Sequence, residues 1–396
     1  MTASREFDMI SKLRMPALIV AVLIFRPAIS AETVRGRQFS GEVVVGATFS
    51  LTGFFDYYGQ SSYYGAITRV KQINEAGGIN GKKLVIEWRD NRGDPKKAAR
   101  DVEELVGKFS VSAIIGPLYS NSVIAVNPVA TRLGVPIVTP LADINMDAVS
   151  YPWVFRISSS NTSQVTALVN FQIEKYGSKT CAIIYDGSDI SCSEYAKVFH
   201  EKFTARGGTV IGGLSFMTVD GKKDYETPLR TLSEMKPDFI FAPCYASEAT
   251  ELIYTSHSMG FTNRFCGPEL WDNELLFIGA GVGLVGSCFA SALLEESFRY
   301  RPLQTFISAI REAGMDEPDA QAASAYDAVS MLAVAMENGE YPEMVRESLS
   351  NMKNMNMVTG RATMDENHNV IKPVLIRVVE RKGDRLVPVY ADRYDP

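Results

Sequence analysis

An apolar run of strand length that opens directly into a loop of hydroxyl, glycine and aromatic residues constrains this chain most. The run Val43-Val44-Val45-Gly46-Ala47 leads into a loop rich in Ser, Thr, Gly and Phe, and a helical pattern begins at Tyr58. Such a run is typical of a buried strand. The loop after a parallel strand lies at the carboxyl edge of the sheet, where open α/β folds bind ligands. This stretch therefore predicts a small-molecule site, and it contains no catalytic residue.

Strand and helix alternate along most of the chain, which predicts an α/β fold with parallel sheets. The first helix, Tyr58 to Ala76, is followed by Gly77-Gly78, and Asp94-Pro95 has the pattern of a capped helix start. A second alternating series begins after Ser158-Ser159-Ser160. A chain of this length exceeds one compact core, so we expect two domains. The predicted strands after the first are 83–89, 113–115, 136–139, 180–185, 209–215, 239–242, 265–267 and 286–290.

Seven short motifs are spread over the chain. They are Gly46 to Gly59, Glu75-Ala76-Gly77-Gly78-Ile79-Asn80-Gly81-Lys82-Lys83-Leu84, Gly93-Asp94-Pro95-Lys96-Lys97-Ala98, Ile115-Gly116-Pro117, Gly134-Val135-Pro136, Phe265-Cys266-Gly267-Pro268-Glu269 and Ala325-Tyr326-Asp327-Ala328. In these residues the chain resembles the periplasmic solute-binding proteins of ABC importers, specifically the leucine/isoleucine/valine-binding family. Each motif alone is weak, but all of them follow the order of the family.

The resemblance implies the type I periplasmic binding protein fold, which is α/β with two Rossmann-like lobes, parallel sheets and a three-strand hinge. It implies a first lobe of residues 41–158 with 292–356 and a second lobe of residues 159–291 with 357–396. The chain is then expected to cross between the lobes near residues 157–160, 289–293 and 357–363.

The first thirty residues have the pattern of a secretory signal. Three basic residues, Arg5, Lys12 and Arg14, precede an apolar segment from Met15 to Phe25, and Ala28-Ile29-Ser30-Ala31 follows. That apolar segment is shorter than the ~20 residues that a membrane-spanning helix needs. We expect residues 1–30 to be a cleaved signal peptide; an uncleaved anchor and a misassigned start are the alternatives.

Charge and cysteine positions indicate partners and location. The formal net charge is −6, with no run of basic residues, which argues against nucleic acid as a partner. No cysteine precedes Cys181, so the lipid-modified cysteine that anchors such proteins in single-membrane bacteria is absent. We therefore expect a free, monomeric protein in the periplasm of a Gram-negative cell, with a small-molecule ligand and the membrane permease of an ABC importer as partners.

The first lobe offers four candidate site residues. Ser120 lies where a helix begins after a strand, so its hydroxyl and the nearby N–H groups can hold an anion, with a plain helix cap as the alternative. The resemblance implies that Ser120 binds a ligand carboxylate, that the backbone carbonyl of Ala142 meets the ligand ammonium, and that Tyr58 covers the ligand. Tyr326 matches a site position and is an equally good core residue.

The second lobe offers three more. Glu269 directly follows a predicted strand and Gly267-Pro268, so its carboxylate should face the cleft and can pair with an ammonium group. The family match implies that Glu269 grips the α-amino group, although a surface glutamate is the alternative. Tyr245 is its expected companion, and Trp271 is either a wall of the site or a packing residue.

Two positions depart from the family pattern. Asp143 stands where the family has a small hydroxyl residue, and its carboxylate would repel a ligand carboxylate at Ser120 unless it turns outward to cap the following residues. Ile190 stands where many members carry a tyrosine or another polar residue. Both departures argue against a branched-chain amino acid as the ligand and leave an aromatic acid, an amide or a polar amino acid open.

Signals for chemistry are weak. The three histidines, at positions 200, 257 and 368, have no metal-ligand spacing, and neither a nucleophile elbow nor a phosphate-binding loop occurs. The run from Gly281 to Gly286 fits a dinucleotide-binding pattern, but a predicted helix precedes it and a strand follows, which reverses the required order. The five cysteines lie at 181, 192, 244, 266 and 288. An odd number leaves at least one thiol within a chain, and buried unpaired cysteines are the favoured interpretation.

These observations predict an extracytoplasmic receptor that closes on a small ligand and delivers it to a permease, with no catalysis, cofactor or metal. A soluble ligand sensor that acts on a regulator is the alternative. An α/β enzyme is a further, less favoured one.

Overall fold

The computed structural model describes residues 39–53, 55–142, 146–219, 222–293, 298–316 and 318–396. The predicted signal peptide, residues 1–30, and the departure at Asp143 lie outside the described residues. In the described part of the chain, no helix has both the length and the apolar character that crossing a membrane requires.

The first sheet consists of five parallel strands: β1 (Glu42–Phe49), β2 (Lys83–Asp90), β3 (Ile114–Ile115), β4 (Ile137–Thr139) and β5 (Val154–Arg156). They lie in the order β2-β1-β3-β4-β5. The apolar run at residues 43–47 forms most of β1, where Val43, Val45, Ala47 and Phe49 are buried. Three helices connect these strands: α1 (Asp56–Ala76), α2 (Pro95–Phe109) and α3 (Ser120–Leu133).

The next part of the chain alternates in the same way. Its helices are α4 (Asn161–Tyr176), α5 (Ile190–Ala205), α6 (Glu226–Glu234), α7 (Ala246–Ser258) and α8 (Glu274–Gly279). Its strands are β6 (Thr180–Asp186), β7 (Thr209–Val219), β8 (Lys222–Asp224), β9 (Phe239–Phe241), β10 (Arg264–Gly267) and β11 (Cys288–Ser291). Two short 3-10 helices, Glu269–Trp271 and Gly281–Leu284, lie between β10 and β11.

The last part of the chain returns to the first sheet and then leaves it. Helices α9 (Arg301–Glu312), α10 (Ala320–Met336) and α11 (Pro342–Ser350) precede a small antiparallel sheet of β12 (Met355–Met357), β13 (Gly360–Met364) and β14 (Val370–Ile371). Two long strands follow, β15 (Val374–Lys382) and β16 (Arg385–Tyr394). They complete a second sheet with the order β16-β15-β11-β10-β9-β6-β7-β8, in which β11, β10, β9, β6 and β7 run parallel.

We call the first sheet and the elements packed on it the first lobe, and the second sheet with its helices the second lobe. Three connections join the lobes: residues 157–160 after β5, residues 292–300 after β11, of which 294–297 are not described, and residues 372–373 before β15. The α/β fold with two parallel-sheet lobes is thus confirmed.

The position of the third connection differs from the sequence prediction, which placed it at 357–363 and assigned residues 357–396 to the second lobe. The small sheet instead packs on the first lobe, because Met357, Ala362 and Met364 are buried in the core of the first lobe. The Arg156 amide of β5 also donates a hydrogen bond to the His368 carbonyl at 2.9 Å. Only β15 and β16 join the second sheet.

All five cysteines lie in the second lobe as buried, unpaired thiols. Cys266 and Cys288 face each other on the adjacent strands β10 and β11, with their Sγ atoms 3.5 Å apart. All five belong to the apolar core of this lobe, where they act as small hydrophobic side chains.

Candidate functional site

A cleft runs between the two lobes at the carboxyl edges of their parallel strands. The cavity that it encloses is small, about 30 Å³, and its lining residues are Phe55, Tyr58, Leu118, Tyr119, Ser120, Leu141, Tyr245, Glu269, Leu270 and Gln321. Both lobes contribute to this lining. The cleft brings together four of the residues singled out in the sequence, namely Tyr58, Ser120, Tyr245 and Glu269.

Ser120 is the first residue of α3 and is 2% exposed. The N-cap position of this helix belongs to Tyr119, whose side chain makes no capping hydrogen bond. Ser120 is therefore not the cap of this helix. The positive end of the α3 dipole points at the cleft beside the Ser120 hydroxyl, which is an arrangement that favours a negatively charged group.

Glu269 follows β10 and Pro268 and is 6% exposed. Its backbone N–H donates to Gln164 Oε1 at 2.9 Å, and Gln164 Nε2 donates to the Ser159 carbonyl at 2.9 Å. Helix α4 and the first interlobe connection therefore fix the backbone from which the Glu269 side chain projects. A carboxylate held in such a water-poor place interacts strongly with a cation.

Four aromatic rings fill the space beside these polar groups. The Phe55 ring centroid lies 4.4 Å from that of Tyr119 and 4.9 Å from that of Tyr245, and the Tyr58 and Tyr245 centroids are 6.0 Å apart. Phe55 and Tyr58 come from the first lobe but belong to the apolar core of the second. The arrangement is a closed one, with an apolar wall able to cover a small ligand.

Hydrogen bonds from two tyrosines also cross the cleft. The Tyr58 hydroxyl donates to the Leu270 carbonyl and accepts from the Ala246 N–H, each at 3.0 Å. The Tyr119 hydroxyl donates to Asp189 Oδ2 at 2.9 Å. Burial raises the pKa of both phenols, so they remain protonated and able to donate.

A partly buried ion pair lies behind Tyr245. Glu248 accepts a hydrogen bond from the Tyr245 N–H at 3.1 Å and pairs with Lys223, which also contacts Asp186 at 2.6 Å. Burial raises the pKa of Glu248 to about 7, although Lys223 opposes the shift. This pair holds the start of α7 and does not line the cleft.

Three predicted site residues lie away from the cleft lining. The Ala142 carbonyl accepts a hydrogen bond from Ser158 Oγ at 3.0 Å. Trp271 is fully buried and packs on Gly267, where an added Cβ would lie 2.1 Å from the indole. Tyr326 is bonded between Gln72 and Arg69, at the contact of α10 with α1. Ile190, the second departure from the family pattern, starts α5 and is 42% exposed.

Six lining residues were not predicted from the sequence. Phe55 and Tyr119 lie between a parallel strand and the next helix. That position at the carboxyl edge of the sheet could have indicated both as lining residues. Gln321 comes from α10, far along the chain, and no local pattern indicates it. The others are Leu118, Leu141 and Leu270. Among the described residues, no group of three or more His, Cys, Asp or Glu side chains could hold a metal ion.

Comparison with known proteins relates this architecture to a transport family. A family model described as periplasmic binding protein matches residues 42–384. A leucine-, isoleucine-, valine-, threonine- and alanine-binding protein of Pseudomonas aeruginosa is 27% identical, with the alignment covering 80% of this chain and 84% of that protein. A Leu/Ile/Val/Thr-binding protein of Salmonella typhimurium is 24% identical over 83% of this chain and 88% of that protein.

A solved structure is similar over nearly its whole length. It is the substrate binding protein of a branched-chain amino acid transporter from Streptococcus pneumoniae, in complex with isoleucine. The TM-score is 0.80 at 25% identity, and the match covers 88% of this chain and 99% of that one.

Proposed function

Since the chain belongs to the periplasmic binding protein family, we propose that it binds an amino acid or a related small molecule between its lobes and delivers it to an ABC permease. One observation carries the proposal. Ser120 at a helix N-terminus of the first lobe and the buried Glu269 of the second lobe line the same cleft. An α-amino acid carries one negative and one positive group, which these two sites suit.

The site residues act in pairs in this proposal. Ser120 and the N-terminus of α3 hold the ligand carboxylate, and Glu269 holds its ammonium group. The rings of Tyr58 and Tyr245 cover the apolar part of the ligand. The names of the two relatives described above state that they bind amino acids, which supports this ligand class.

Closure follows from the division of the site between the lobes. A ligand that contacts Ser120 and Glu269 at once favours the state in which the lobes are close, because only that state provides both contacts. The hydrogen bonds of Tyr58 to Leu270 and Ala246 add to the same state. A permease can then distinguish the loaded receptor by its closed shape.

We further propose a monomer that acts in the periplasm of a Gram-negative cell after removal of residues 1–30, and that releases its ligand chemically unchanged. Family membership supports an extracytoplasmic place of action. The composition of residues 1–30 supports the signal peptide.

Isothermal titration calorimetry tests the proposal, with the twenty amino acids, their amides and simple aromatic acids as ligands. We expect one-to-one binding by at least one amino acid and a rise in melting temperature at saturation. Mass analysis of the recovered ligand should show no change. Binding by aromatic acids alone, or chemical conversion of the ligand, would contradict the proposal.

A further inference from the structure

Gln321 lies in the cleft, and only the nitrogen of its side-chain amide forms a hydrogen bond with the described part of the protein. It is the second residue of α10, lines the cleft and is 2% exposed. The start of α10 is held by Asp319, which accepts hydrogen bonds from the Ala322 N–H at 2.8 Å and from the Ser61 hydroxyl of α1. The Gln321 backbone is therefore fixed relative to both helices.

The hydrogen bond to the second lobe fixes the orientation of the amide. Gln321 Nε2 donates to the Asp272 carbonyl at 2.9 Å. A carbonyl can only accept, so the amide nitrogen must be the atom that faces it. The amide oxygen of Gln321 is therefore directed elsewhere.

That oxygen is buried and has no partner. Among the described residues, no donor forms a hydrogen bond with Gln321 Oε1. A buried acceptor without a donor is unfavourable, and such atoms are rare in folded proteins. Glu269, on the same lining, cannot supply the missing donor, because its carboxylate is itself an acceptor. Gln321 Oε1 is thus an acceptor that the described residues leave unsatisfied.

We propose that Gln321 Oε1 accepts a hydrogen bond from the bound ligand and so selects ligands with an N–H or O–H group besides the ammonium assigned to Glu269. The favoured class is amino acids with a hydroxyl or amide side chain, and aliphatic amino acids of the same shape are disfavoured. This inference rests on the proposed function of the cleft. It adds a specificity residue from α10 to the two ligand-holding residues proposed above, Ser120 and Glu269.

Two pairs of ligands with nearly equal shape test the inference on the unaltered protein. Threonine and valine differ by a hydroxyl in place of a methyl group, and asparagine and leucine differ by an amide in place of an isopropyl group. Calorimetry should show at least one donor-bearing member binding about 10-fold or more tightly than its apolar counterpart, because the apolar ligand leaves the buried acceptor unpaired.

The variant Gln321→Leu removes the acceptor. We expect it to reduce the preference within each pair to less than about 3-fold, largely by improved binding of the aliphatic member. Gln321→Met, with an unbranched side chain and no amide, is measured in parallel in case the leucine variant folds poorly. Gln60→Leu is the matched control, because Gln60 lies on α1 outside the lining and should leave the preference unchanged.

The possible outcomes separate failure of the Gln321 assignment from failure of the proposed amino-acid receptor function. If no amino acid binds, the proposed amino-acid receptor fails, and the inference fails with it. If none of these four binds but another amino acid does, the inference alone fails. If they bind but valine and leucine match threonine and asparagine, the inference alone is overturned. If the preference survives in Gln321→Leu, the acceptor is satisfied within the protein, for example by the buried and unpartnered Asn273 Nδ2, and the assignment to Gln321 is wrong.

Discussion

Helices α2 and α3 both follow strands of the first sheet, but only α2 begins with a side-chain cap. Asp94 accepts hydrogen bonds from the N–H groups of Lys96 and Lys97 at 2.8 and 3.3 Å, and Pro95 occupies the first helical position. At the start of α3, Tyr119 makes no capping bond and its ring lies in the cleft instead. The start of α2 is therefore stabilised by a side-chain cap. The start of α3 has no such cap, and its N-cap residue, Tyr119, lines the cleft instead.

The second lobe also has a side-chain cap at one helix start and a lining residue at another. Helix α5 begins with Asp189, which accepts from the Cys192 N–H at 2.9 Å, and helix α7 begins with Tyr245, a lining residue. Helix α10 combines both solutions, since its cap is Asp319 and its second residue, Gln321, lines the cleft. At α3 and α7 the residue at the N-cap position is thus a lining residue of the cleft.

The strongest test of the cleft side of this comparison is Glu269→Gln. If Glu269 pairs with a ligand ammonium, the substitution should weaken binding by about 3–5 kcal/mol, because it leaves a charge buried without its partner. Calorimetry measures the loss. The control is Glu274→Gln, an exposed glutamate that begins α8, which should bind as the parent does. Unchanged affinity in Glu269→Gln would exclude the amino-acid hypothesis.

The mixed helix start at α10 predicts a pH-dependent effect of Asp319→Asn. Burial raises the pKa of Asp319 to about 6, so the folded protein disfavours the ionised form. The penalty is absent below about pH 4 and grows as the pH rises to about 6, because the unfolded chain ionises first. Asparagine keeps the capping oxygen and removes the charge. We expect the variant to gain up to about 3 kcal/mol in unfolding free energy at pH 8 relative to its difference at pH 4.

Urea denaturation of both proteins at pH 4, 6 and 8 measures this difference. A difference in unfolding free energy that stays constant over the three pH values would show that Asp319 does not titrate as its burial implies.

Ser120→Ala separates ligand binding from helix capping at α3. We expect binding to weaken by about 1–3 kcal/mol, the usual loss when a charged partner loses a hydrogen bond. The unfolding free energy should change by less, because Ser120 is not the N-cap residue. If affinity is retained and the melting temperature falls, Ser120 serves the fold alone.

Asp94→Ala is the converse test at α2. Loss of the cap should lower the unfolding free energy by about 1 kcal/mol, measured by urea denaturation. Ligand affinity should not change, since Asp94 lies outside the cleft lining. An effect on affinity equal to that of Ser120→Ala would remove the distinction between the two helix starts.

Most of the alternating core of the fold could be predicted from local sequence. Strands such as β1, β2 and β6 were predicted to within a few residues because they are long or strongly apolar. The small sheet and the long strands β15 and β16 were not predicted from the sequence, since their pairing depends on partners distant in the chain. The third connection was misplaced for the same reason, as the burial of Met357 and Met364 in the first lobe is a tertiary effect.

The site was predictable where a strand ends at the cleft. Ser120, Tyr245 and Glu269 each follow a strand, and the sheet edge brings them together. Trp271 and Tyr326 also suited a site by residue type, but packing on Gly267 and bonding to Gln72 place them outside the lining. Gln321 could not be predicted, because its approach depends on how α10 packs across α1 after the second interlobe connection.

The confinement of all five thiols to one lobe makes cysteine alkylation a lobe-specific probe of local unfolding. A buried thiol must be exposed before it reacts, so the rate of labelling reports how often the second lobe opens. The first lobe carries no cysteine and remains silent in this measurement. Mass spectrometry of labelled protein, set beside circular dichroism of the whole chain, can therefore show whether the two lobes unfold together or one at a time, with no engineered label.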